Sequence, residues 1–183
     1  MSNINDMTVG SPTKDILCFA VPLVCGYILQ QMYLLIDAAI VGQYLGVGAL
    51  AAVGASSSIM FLIMGFCNGA CAGFAIPVAQ QFGAKDYHQM RCYVSNALRI
   101  SAVIAVVITV FTALFCTRIL RIVNTPADIF SDAYIFLLLN FLAIPFTMGY
   151  NILSGFIRAL GDSKQPFYFL IVSSLVNIAL DFL

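Results

Sequence analysis

Asp37 stands in the run YLLIDAAIVG and Asp181 closes the run SSLVNIALD, so two carboxylates lie where almost every neighbour is apolar. Each has an amide on its own helical line: Asn177 precedes Asp181 by four residues and Gln30 precedes Asp37 by seven. An aspartate at the centre of a membrane helix costs about 2.5–3.5 kcal/mol, so such a group is expected to face a cavity or a partner. Two carboxylates close together in a low dielectric do not both stay ionised without a counter-ion. Either one takes up a proton or the pair binds a cation. Oxygen ligands of this hardness suit a proton or an alkali ion such as sodium and not a transition metal. The structural alternatives are that Asp37 merely sits in interfacial water at its helix end, and that Gln30 and Asn177 bond neighbouring helices.

The elements that must carry these residues are membrane helices. Of 183 residues, 62% are hydrophobic and 9% charged, with a mean hydropathy of +1.00, whereas about a quarter of a soluble domain is charged. A helix needs about 20 mostly apolar residues to cross the hydrocarbon, and breaks rich in Gly, Pro or charge leave five such stretches. They cover approximately residues 16–41, 51–80, 93–116, 129–157 and 166–183. The predicted fold is all-α: a polytopic membrane helix bundle of about five transmembrane helices, residues 16–183, after a polar segment 1–15 that lacks a signal peptide's apolar core.

Loop charges orient the bundle. Lys14, Lys85, Arg91, Arg158 and Lys164 fall on one set of alternate segments and only Arg118 and Arg121 on the other. Basic residues of short loops collect on the cytoplasmic side, which predicts a cytoplasmic amino terminus in a multi-pass protein of the plasma membrane. Arg99, about two turns into the third span, can snorkel to that same side. Asp37 comes four residues before the end of its span, and Asp181 about 22 Å beyond Pro166 at 1.5 Å per residue. Both carboxylates are therefore expected in the outer third of the membrane, where no Lys or Arg within a span accompanies them.

Other polar residues read as lining or packing. Asn140 and Asn151 are eleven residues apart, about three helical turns, with Ser154 nearby, so one side of the fourth helix is a candidate cavity wall. Gly65, Gly69 and Gly73 recur every four residues and predict a close helix approach. Pro77 and Pro145 are interior prolines where kinks are expected. Six cysteines without a CxxC, in mostly apolar stretches, read as small apolar helix residues and not as disulfides or ligands. With no phosphate-binding glycine loop, His-based nucleophile or zinc spacing, and no basic run for nucleic acid, the chain reads as neither an enzyme nor a cofactor carrier.

Three motifs carry a family resemblance. Pro22, Gln30, Asp37, Val41, Gly42, Leu45 and Gly46 form a pattern that resembles the first helix of multidrug and toxic compound extrusion (MATE) transporters. QQFGAKD, from Gln80 to Asp86, is similar to the family's loop after helix two, and RALGDSKQP with NIALD is similar to its loop four and helix five. The resemblance implies export of amphipathic, often cationic compounds against a proton or sodium gradient, by alternating access of two six-helix lobes. It implies a cation site at Asp37, Asn177 and Asp181 with Gln30 as a polar neighbour, and a hinge at Pro22, where a missing backbone bond lets a helix bend. It also implies that the sixth helix and a second lobe, or a second chain, must complete this part. A flippase for lipid-linked oligosaccharides is the alternative within the same superfamily, although its anionic cargo calls for basic residues that these spans lack. A non-transporting membrane scaffold is the alternative outside it.

Overall fold

The computed structural model describes residues 12–44 and 46–181, and their regular structure is helical throughout. Five long helices follow one another: α1 (Pro12–Tyr44), α2 (Gly46–Gly83), α3 (Tyr87–Ile122), α4 (Phe130–Ala159) and α5 (Lys164–Asp181). A single 3-10 turn, Ala127–Ile129, leads into α4. The polar segment 1–15 is thus divided: residues 1–11 lie outside the described residues, as does Leu45, whereas α1 already begins at Pro12.

Local chemistry explains where the helices stop. Lys85 (φ 59°) and Gly161 (φ 86°) take left-handed backbone after α2 and α4, and the residue after each is an aspartate that starts the next helix. Asp86 Oδ1 accepts from Gln89 N at 3.0 Å, and Asp162 Oδ1 accepts from Lys164 N at 3.0 Å and Gln165 N at 3.1 Å. Such N-cap bonds satisfy amides that the first turn leaves open. The loop aspartates of both motifs are therefore helix caps. Gly46, at φ 85°, opens α2 in a conformation that favours glycine. These short connections join helices that pack on one another, so the chain doubles back each time, and α1, α3 and α5 run in one direction.

Packing is uneven. Helix α4 lies against both α2 and α3, which also touch each other. Its buried line Ala133, Leu137, Phe141, Ile144, Met148 and Ile152 repeats at three and four residues and meets Cys67, Cys71, Val78, Cys116 and Leu120. Cys71 Sγ donates weakly to Met148 O at 3.8 Å, which is how a thiol in an apolar core behaves. Helix α1 packs chiefly on α5 and less on α2, and α5 touches α4 only lightly. A trio, α2 to α4, thus holds the interior, and a pair, α1 with α5, is attached to its side.

The outside is apolar. Phe61, Phe146 and Leu114 are 84%, 82% and 75% exposed, the inverse of a soluble bundle and compatible with contact to lipid or to further helices. Four helices, Ile16–Tyr44, Gly46–Gly83, Tyr87–Ile122 and Ala127–Ala159, are long and apolar enough to cross a membrane. The described part of α5 has 18 residues, on the order of 27 Å, and carries Lys164 at one end and Asp181 at the other.

The glycine expectation is corrected by the packing. A Cβ placed on Gly65, Gly69 or Gly73 meets nothing within 4 Å, so that stripe faces away from the other described helices. The close approaches occur elsewhere. At Gly155 an added Cβ comes 3.5 Å from Ala75 Cβ, joining α4 to α2, and at Gly26 it comes 3.5 Å from both Phe167 Cδ2 and Leu170 Cδ2, joining α1 to α5. The helical assignment continues through Pro22, Pro77 and Pro145.

Candidate functional site

The residues predicted from sequence to form an acidic site lie on α1 and α5, two helices that pack on one another. On α1, Pro22, Gly26, Tyr33 and Asp37 fall within one face at 100° per residue; Gly26 is buried and the other three are half-buried, while their neighbours Ile28 and Leu35 are exposed. On α5 the matching face is Phe167, Leu170, Ser174 and Asn177, each half-buried. Position 181 continues that line by register; the Asp181 side chain lies outside the described residues.

Gly26 against Phe167 and Leu170 fixes the relative height of the two helices. Because α1 and α5 run the same way, residues equally far beyond this contact share a level. Asp37 is eleven residues past Gly26, about 16 Å. Asn177 lies seven to ten residues past the contact, about 10–15 Å, and position 181 about 16–21 Å. The three positions therefore fall within about one or two helical turns of one another along the axis.

The described polar groups are unequal in their bonding. Neither Asp37 nor Tyr33 is without a partner. Asn177 Oδ1 is buried and has no hydrogen-bond partner among the described residues. An amide oxygen offers two lone pairs and no proton. It therefore cannot be satisfied by a bare carboxylate; it needs a donor, such as a protonated acid, or a cation. Buried polar atoms are almost always satisfied, so an exception calls for a missing water, ion or partner.

The remaining sequence candidates separate. Gln30 shares the line of Asp37 but is exposed. Asn140 Nδ2 donates to Phe136 O, one turn back on its own helix, at 2.8 Å. Asn151 Nδ2 donates across to Asn68 Oδ1 on α2 at 2.7 Å. Ser154 is buried, and its hydroxyl accepts from Arg158 Nη2 at 3.2 Å while Arg158 Nε donates to Ser154 O at 3.2 Å. Asn140, Asn151 and Ser154 thus keep three different sets of partners. One contact escaped the sequence reading: Asn68 as the specific partner of Asn151, for which spacing within one helix gives no signal.

The MatE family model matches residues 22–183. The chain belongs to the MatE family. Members of this family are transporters and not enzymes, and the apolar helices make this a multi-pass membrane protein. Similar relatives in Bacillus subtilis are the probable multidrug resistance proteins YoeA, 36% identical over 162 residues, and YpnP, 30% identical over 175 residues. These alignments cover 88% and 96% of this chain but 35% and 39% of the relatives. Among solved structures, a MATE protein in the straight conformation has a TM-score of 0.88 at 24% identity, and a MOP superfamily transporter from Pyrococcus furiosus one of 0.90 at 23%. Each covers 99% of this MatE chain and 40% of the solved one, which shows a shared fold.

Proposed function

We propose that this MatE chain forms the amino-terminal part of a cation-coupled antiporter that exports amphipathic, often cationic compounds, with Asp37, Asn177 and Asp181 as its proton or sodium site. The observation that carries the proposal is the buried Oδ1 of Asn177, which has no partner among the described residues, on the α5 face that packs against the α1 face of Asp37. An acceptor left open beside an acidic residue fits a site that is filled and emptied by a cation. The names of the relatives, multidrug resistance proteins, support drugs as cargo. Gln30 is a polar neighbour at the open edge of the seam, and Pro22, a turn below the Gly26 contact, is the point at which α1 bends when the site changes occupancy.

Because this chain corresponds to 35–39% of those relatives, the working transporter is proposed to include the segments that match their remainder, on the same chain or on a second one. Alternating access needs two parts that move about a central site. The amino terminus is proposed to be cytoplasmic, from the loop charges.

The test is ethidium efflux from everted vesicles carrying the full-length transporter, driven in turn by a proton and by a sodium gradient. Gradient-driven efflux that Asp37→Asn and Asp181→Asn each abolish, in protein that still folds, supports the site, and the gradient that works names the ion. Normal export by both variants overturns it.

A further inference from the structure

We propose that the first three turns of α3 bind the headgroup of an anionic phospholipid. His88, Arg91, Cys92, Ser95, Asn96 and Arg99 line an open depression of about 350 Å³. Residues 88, 92, 95 and 99 fall on one line of the helix, with Arg91 at its flank. The same line continues as Val103, Val106 and Val110, which are 63%, 57% and 51% exposed. One helix face thus changes directly from basic to apolar.

The dimensions match one leaflet. Arg99 and Val110 are eleven residues apart, about 16 Å, and half of the hydrocarbon core is about 15 Å. An acyl chain laid on the valines puts its phosphate at the level of Arg99, and Arg91, about 12 Å nearer the helix start, adds its charge on the headgroup side. Guanidinium groups suit this task because their fork pairs with phosphate oxygens. Both arginines are available for it: neither makes an ion pair or a side-chain hydrogen bond among the described residues. By contrast, Arg158 bonds to Ser154 and the Arg118 guanidinium carbon lies 5.5 Å from the Phe115 ring centre. Asp86, the carboxylate nearest in sequence, is engaged as the cap of Gln89 N. Lys85, exposed in the adjoining loop, adds a further positive charge. The apolar continuation selects a lipid over free phosphate, which has nothing to lay on it.

The experiment titrates the full-length protein in detergent with phosphatidylglycerol, phosphatidylcholine or inorganic phosphate and counts bound molecules by native mass spectrometry. Wild type is expected to prefer phosphatidylglycerol. The pair Arg91→Gln with Arg99→Gln weakens that binding about 30-fold, since each surface arginine contributes roughly fivefold, and leaves phosphatidylcholine unchanged. Arg91→Lys with Arg99→Lys keeps the charge and stays within about fivefold of wild type, which separates lost recognition from lost folding. The proposal is overturned if the Gln pair keeps its preference, if the Lys pair behaves like the Gln pair, or if inorganic phosphate competes as well as the lipid.

Discussion

Among single residues, Asn177 makes the sharpest demand, because its carbonyl oxygen is buried with no donor among the described residues and a bound cation or a protonated carboxyl would supply what it lacks. Asn177→Ala is expected to raise the cation concentration needed for half-maximal efflux about tenfold, the effect of losing one interaction with a charge of roughly 1.5 kcal/mol. Asp37→Asn and Asp181→Asn remove the charge itself and are expected to abolish gradient-driven efflux altogether. The Asn68–Asn151 bond is a different kind of contact, a tie between two helices. A double-mutant cycle of Asn68→Ala and Asn151→Ala, read from unfolding in micelles, should give a coupling of about 0.6 kcal/mol, the average for such bonds in membranes. Sequence alone exposed Asp37, Asn177 and Asp181, since a polar group in an apolar run costs energy and draws notice. It did not pair Asn151 with Asn68, because nothing in the spacing within one helix says which residue of another helix it meets.

At the level of helices, two glycines decide how closely elements approach. At Gly26 an added Cβ makes ordinary contact with Phe167 and Leu170, so Gly26→Ala should be tolerated, whereas Gly26→Leu forces α1 from α5. Loss of efflux with the leucine variant and its retention with the alanine variant would tie the seam to transport. Gly155→Leu strikes the α2–α4 contact at Ala75 and should lower stability by about 1–3 kcal/mol, the usual effect of overpacking, seen as a drop in thermal midpoint. Gly65→Leu meets open space and should leave the fold of this part intact. Hydropathy located the helices and their breaks because charge and glycine interrupt apolar runs. It could not tell a glycine that faces a helix from one that faces outward, since lipid and neighbouring helices ask for the same side chains.

For the molecule as a whole, orientation is open to direct measurement. With Cys18, Cys25 and Cys92 changed to alanine, a membrane-impermeant maleimide should label Ala84→Cys in the α2–α3 loop only from the cytoplasmic side and Ala127→Cys only from the opposite one. The reverse pattern would invert the assignment made from loop charges. The number of helices and their order were legible in composition and breaks; the division into a trio and a side pair was not, because it depends on which apolar faces fit. That division also bears on how the protein is made. Helix α1 finds its main partner in α5, and residues 45–163 are synthesised between the two, an interval of roughly 6–24 s at about 5–20 residues per second. Throughout it, a helix carrying Asp37 waits in the bilayer before α5 exists. Asp37 lies only seven residues from the end of α1 at Tyr44, about 10 Å, which leaves its carboxylate within reach of headgroup water during the wait. The position proposed for a cation site therefore also makes α1 tolerable to the membrane before its partner arrives.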